Sequence, residues 1–123
     1  MNVAEFSKRV GLNPHTVRYY DKLGLLDKVQ RLANGHRYFT PKDVAWVAFI
    51  QRLKATGMPL EDILTYATLR KAGAPTLAAR HQLLCDHATQ VERKLVEQQG
   101  HLHQLKEKIG LYQSALCGEV NLD

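Results

Sequence analysis

The side chains of this sequence with chemistry to offer are two cysteines, six histidines and a tight Arg-Tyr-Tyr run. Cys85 and Cys117 stand 32 residues apart without CxxC spacing, and His81 lies four residues before Cys85. A thiol near a basic group ionises more readily and reacts with oxidants. Cys85 with His81, and separately Cys117, are therefore the candidate sensing residues, an inert and partly packed thiol being the plainer reading of Cys85. Two cysteines exclude an all-cysteine zinc site within one chain, and one His-Cys pair would need ligands from a second subunit to complete a tetrahedron. His101 and His103 imitate a chelate only on paper. Helical residues two apart point about 200° apart, so they cannot share a metal, and His87 fails with Cys85 for the same reason. No metal and no cofactor is expected. Phosphate loops, paired acids and nucleophile–base spacings are also missing, so an enzyme is not expected.

The other chemistry is grip. TVRYYDKLGLL, residues 16–26, sets Arg18, Tyr19 and Tyr20 side by side. Adjacent helical positions diverge by about 100°, so at least one ring must face away from any single core. The charge is uneven in the same way. Of the net +5, residues 1–56 hold ten Lys/Arg against four acids, giving +6, while residues 57–123 hold seven against eight, giving −1. Basicity confined to one part suits a polyanionic partner, although a solvated basic face has the same composition.

Short elements must position these residues. Val3, Phe6 and Val10 mark one face of a helix over 2–10 that stops at Gly11. Asn13 offers an N-cap and Pro14 a first helical residue for a second helix, which runs to about Leu23 and stops at Gly24. Two helices about a tight turn make a helix-turn-helix candidate. In QRLANGHRYFT, Asn34-Gly35 predicts a tight turn between two short strands, with Arg31, His36, Arg37 and Tyr38 around it. Thr40-Pro41-Lys42-Asp43 starts a third helix that ends at Gly57, and Met58-Pro59-Leu60-Glu61 opens a fourth to about Ala72. GAP at 73–75 breaks the chain.

From Thr76 the texture changes to a period of seven. Leu77, Leu84, Val91, Gln98, Leu105 and Tyr112 occupy one heptad position, and His81, Ala88, Leu95, Leu102, Ile109 and Leu116 the other. Nine of these twelve are apolar, so the pattern predicts one helix over 77–116, about 60 Å long. A body made from the remaining residues, roughly 30 Å across, cannot cover that stripe. The helix needs a partner, most simply its copy in a second chain. The predicted organisation is a domain over 1–73 including the fourth helix, a dimerisation helix over 76–117 and a short tail over 118–123.

Taken together, TVRYYDKLGLL, NGHRYFT and DVAWVAFIQRLKATGMPLEDIL resemble the MerR family of bacterial transcription regulators, and the heptad helix resembles that family's dimerisation helix. The resemblance covers the whole chain. It implies an all-α dominated fold: a winged helix-turn-helix with a two-stranded wing, followed by a long helix that pairs as an antiparallel coiled-coil homodimer. The implied partners are double-stranded promoter DNA, a second copy of the chain and, at the promoter, RNA polymerase. Activation in the family comes from twisting and bending an over-long promoter spacer, a form of indirect readout.

By the same resemblance His15, Thr16, Arg18, Tyr19 and Tyr20 form the DNA face, one of the two tyrosines being open to a core role. Arg31, His36, Arg37 and Tyr38 of the wing, and Lys54 at the end of the third helix, are expected to reach phosphates. Leu84, Val91, Leu95, Leu102, Leu105, Ile109 and Tyr112 are expected in the dimer seam. GAPTLAARHQLLCDHATQV and KIGLY resemble the aldehyde- and electrophile-responsive branch, yet Arg52 stands where that branch carries a cysteine. An architectural DNA-bending protein without an effector is the alternative reading, against which the long helix argues. With no apolar run long enough to span a bilayer and no signal-peptide core, a cytoplasmic location is expected.

Overall fold

The computed structural model describes residues 1–27 and 30–121. They fall into two compact units, Met1–Cys85 and Asp86–Asp123. The first unit is built from helices α1 (Val3–Val10), α2 (Pro14–Lys22), α3 (Pro41–Ala55) and α4 (Leu60–Ala72), a pair of two-residue strands, β1 (Gln30–Arg31) and β2 (Arg37–Tyr38), and the start of α5 (Leu77–Leu116).

The first three helices begin where a side chain can satisfy backbone amides at the helix start. Asn2 Oδ1 accepts from Glu5 N at 2.9 Å to open α1, and Asn13 Oδ1 accepts from Thr16 N at 2.7 Å to open α2. Asp43 closes the start of α3 by accepting from both the amide (2.8 Å) and the hydroxyl (3.0 Å) of Thr40. Gly11 turns the chain out of α1 at φ +72°, a left-handed conformation that costs a glycine nothing. The strands pair antiparallel, Gln30 with Tyr38 and Arg31 with Arg37. Their connection is longer than the two-residue hairpin favoured by Asn-Gly. Gly35 N donates to Leu32 O and Leu32 N to His36 O, so residues 32–36 form the loop, with Gly35 at φ +84°.

The core gathers one face from every helix. Phe6 and Phe39, both essentially inaccessible, stack with ring centroids 4.2 Å apart, and Met1 and Phe39 exchange backbone hydrogen bonds that return the wing to the start of the chain. Val17, Leu25, Val47, Ile50 and Ile63 fill the space between them. Trp46 Nε1 donates to Leu25 O at 2.6 Å, and Gln51 Nε2 to Val10 O at 2.9 Å; each ties α3 to an earlier segment without stranding a polar atom in the core.

After a single 3₁₀ turn over Ala74–Thr76, α5 begins at Leu77 and ends at Leu116, the range predicted from the heptads. The boundary between the units falls inside this helix rather than before it. Leu83 and Leu84 are half-buried against the core of the first unit and hold the opening turns of α5 to it. Leu84, expected in the dimer seam, thus spends part of its surface on its own unit. The second unit is the rest of α5 and its end, where Gly118 N donates to Ala115 O and Glu119 N to Ser114 O. No helix among the described residues is long and apolar enough to cross a membrane.

Candidate nucleic-acid interface

The phase of α2 is set by what it buries. Val17 is 1% exposed and Tyr20 3%. With those two turned inward, His15, Arg18, Tyr19 and Lys22, spaced three and four apart, form one exposed row along the opposite side. Thr16 sits at its edge, half-buried. The open question of the tyrosine pair is thereby answered: Tyr19 is 50% exposed, and Tyr20, assigned to the outer face, belongs to the core. The Tyr20 hydroxyl accepts from Lys54 Nζ at 2.9 Å, and the same ammonium lies 5.2 Å from the Tyr20 ring centroid. Lys54 thus reaches the outer surface beside α2 while held by a ring of α2.

The wing is strapped to the same helix. Arg31 and Arg37 are directly paired across the strands, and like charges so placed repel. The repulsion is relieved because the two guanidinium groups have different partners. Arg31 Nη1 donates to Gly35 O at 2.9 Å, inside the hairpin loop. Arg37 Nη1 lies 2.6 Å from Asp21 Oδ2 on α2, both side chains being about three-quarters covered. The approach is an ion pair rather than an aligned hydrogen bond. Arg37, expected at a phosphate, thus has its charge answered by Asp21 within the protein. Arg31, His36 and Tyr38 remain exposed, Tyr38 at 41%. The row on α2, the wing tip and Lys54 present several cations and hydroxyls on one unit, an arrangement able to bind phosphates and base edges together. Lys22 was missed by reading motifs alone; its spacing four after Arg18 was the signal that could have found it.

The chain matches the family model described as MerR HTH family regulatory protein over residues 1–69, and the model described as MerR, DNA binding over residues 44–108. It belongs to the MerR family. A HTH-type transcriptional regulator of Haemophilus influenzae is 37% identical over 112 residues, covering 91% of this chain and 83% of that protein. The HTH-type transcriptional regulator AdhR of Bacillus subtilis is 36% identical over 86 residues, 70% of this chain and 61% of AdhR. Among solved structures, HiNmlR, a MerR family regulator lacking the sensor domain and bound to promoter DNA, superposes with a TM-score of 0.83 at 35% identity, covering 94% of this chain and 92% of its own. A MerR family protein of Listeria monocytogenes superposes at 0.89 with 30% identity over 96% of this chain and 89% of its own. This MerR protein is thus a DNA-binding transcription regulator with a winged helix-turn-helix and a long C-terminal helix, and not an enzyme.

The candidate sensing residues lie on α5. Cys85 Sγ is 3.5 Å from His81 Nε2, so the two side chains meet across one helical turn on an exposed face. Cys117 is exposed just past the helix end. Among the described residues, no three His, Cys, Asp or Glu side chains come together as a metal-holding group. His103 is occupied with Glu107, 3.1 Å away on the same face. Arg52, at the position where the electrophile-responsive branch carries its cysteine, is exposed on α3.

Along the second unit the expected seam lies open. Leu95, Leu102, Leu105, Ile109 and Tyr112 are each between 49% and 58% exposed, and Val91 is half-buried. Val96 and Leu111 add a little apolar surface beside the stripe.

Proposed function

We propose that the protein binds a promoter spacer as an antiparallel homodimer joined along α5, and activates transcription by distorting that DNA when a small effector or stress signal arrives. The reading rests chiefly on the outward row of α2, whose His15, Thr16 and Arg18 enter the major groove while Tyr19 and Lys22 meet the flanking backbone. Arg18 offers two donors in a plane, the geometry that pairs with guanine or with phosphate. Arg31, His36 and Tyr38 at the wing, with Lys54, reach neighbouring phosphates. Arg37 serves by holding the wing to α2, and Tyr20 by fixing Lys54. The promoter-bound state of HiNmlR, which covers nearly the same length of chain, supports the choice of DNA.

Dimerisation along α5 is supported by the open apolar stripe. An isolated helix gains nothing from exposing five large apolar side chains in heptad register, whereas burying the exposed half of each against a partner contributes roughly 1 kcal/mol apiece. RNA polymerase is met at the promoter, and the protein works in the cytoplasm beside its target DNA.

The test is fluorescence anisotropy with labelled DNA from the promoter of the protein's own gene, comparing the wild type with Arg18→Ala. Loss of a base-reading arginine is expected to cost about 1–3 kcal/mol, or roughly tenfold to more than a hundredfold in affinity. Unchanged affinity with unchanged folding would remove Arg18 from the recognition set.

A further inference from the structure

Between α3, α4 and the start of α5, the first unit carries a cleft of about 420 Å³ that the DNA-facing row does not use. Its lining combines the rings of Trp46, Phe49 and Tyr66 with the cations of Lys42, Arg70 and Arg80, and no carboxylate is among its lining residues. The rings form a continuous wall. Trp46 stacks on Tyr66 with centroids 5.9 Å apart, and Phe49 tilts against Tyr66 at 5.6 Å. Because the Trp46 N–H is already spent on Leu25 O, the indole has no polar demand to make of an occupant. Phe49 is the most open of the three rings, since Trp46 and Tyr66 are 5% and 9% exposed.

The cations are held in different ways. Arg70 lies 4.1 Å from the Trp46 ring centroid and pairs with Asp27 at 2.8 Å, so its charge is largely answered within the protein. Arg80 is braced by two hydrogen bonds, Nε to Thr76 Oγ1 at 3.0 Å and Nη2 to Gly73 O at 3.2 Å. Both acceptors are neutral, so the positive charge is oriented but unpaired. The Lys42 side chain has no polar partner among the described residues. Two unneutralised cations at the rim of an aromatic cleft call for a flat apolar body with one negative group.

We propose that this cleft binds a small aromatic carboxylate: its ring system lies against Phe49, at the edge of the Trp46–Tyr66 pair, and its anionic end is met by Lys42 and Arg80. The volume is in the ordinary range for small-molecule sites and admits a molecule of about two rings. Such a ligand would touch α3, α4 and α5 at once, joining α3, which carries Lys54, to the helix that leads to the dimer. This deepens the regulator reading by naming the chemical class of its effector. Binding itself does not depend on that reading.

Trp46 is the only tryptophan in the chain, so its emission reports on the cleft directly. The full-length protein would be titrated with biphenyl-4-carboxylate, its neutral carboxamide and the saturated bicyclohexyl-4-carboxylate, followed by Trp46 fluorescence and by calorimetry. The carboxylate is expected to bind saturably, one per chain, at least about tenfold tighter than either analogue, as loss of a charge-assisted contact or of ring stacking requires. Lys42→Ala should cost about tenfold and Lys42→Arg should restore most of it, with melting curves unchanged for both. Absence of saturable binding, equal affinity for acid and amide, or a Lys42→Ala variant that binds like the wild type would each overturn the proposal. Promoter affinity measured on the same samples separates the two readings. DNA binding without carboxylate binding rejects only the cleft, and carboxylate binding without DNA binding rejects only the regulator mechanism.

Discussion

The two units of this chain use leucine-like side chains in opposite ways. In Met1–Cys85, side chains drawn from five helices and the wing converge on one interior, and Phe6, Val17, Leu25, Ile50 and Ile63 are essentially sealed from water. In Asp86–Asp123, a single helix carries a comparable apolar repeat and leaves it about half exposed. The sequence of the second region is no less regular; it lacks an opposing surface. A hydrophobic pattern therefore states a demand for burial, and only the number of available faces decides whether one chain can meet it.

The contrast can be broken most forcefully at the core. Phe6→Ala, which removes one of two stacked rings at the centre of the first unit, should cost about 3–5 kcal/mol. Thermal unfolding followed by near-ultraviolet circular dichroism should show it as a large fall in midpoint, a substantial part of the stability of a domain this size. A midpoint within a few degrees of the wild type would mean that the Phe6–Phe39 stack is not central to the core. Next in size is the open stripe. Leu95→Asp combined with Leu102→Asp should leave the first unit folded but yield a monomer, with promoter affinity lowered about a hundredfold or more because two linked half-site contacts become separate events. Sedimentation velocity and anisotropy together decide this; a variant that stays dimeric refutes the seam.

Smaller effects sharpen the difference. The Arg37–Asp21 contact is about three-quarters covered, intermediate between an exposed and a buried pair, so Asp21→Asn should cost on the order of 1 kcal/mol or less in stability. It should also loosen the wing, seen as faster amide exchange at Arg37 and Tyr38 with unchanged protection in α3. Equal exchange in variant and wild type would deny the pair its orienting role. Smallest of all, Lys22→Ala should reduce the slope of log affinity against log salt by about one, while Lys94→Ala, also exposed but on the second unit, should leave it unchanged. Equal changes for both would mean that the charge of the whole chain, rather than the α2 face, governs DNA affinity.

Local chemistry made much of this legible from the residues alone. Asn2, Asn13 and Thr40-Pro41 mark helix starts because their side chains or fixed φ act within one turn, and Gly11 and Gly57 mark ends for similarly local reasons. The limits of α5 followed from a repeat that needs no tertiary partner to be counted. Motif resemblance carried the family. Motifs say less about individual neighbours: Arg37, Tyr20 and Leu84 each sit where the family pattern put them along the chain, yet each is turned toward a neighbour that the pattern does not name.

The sequence by itself determined the order and extent of the helices, the concentration of positive charge before residue 57 and the apolar heptad stripe of α5. Helical geometry sets the angle between neighbouring side chains and leaves the rotation of the helix open, so which tyrosine of the pair faces inward was undecided until Lys54, 34 residues later, met the Tyr20 hydroxyl. The same holds for Asp21 claiming Arg37 across the wing, and for a cleft assembled from residues as far apart as Lys42 and Arg80. Those choices belong to the tertiary structure, because they depend on contacts between segments whose spacing in sequence carries no record of their distance in space.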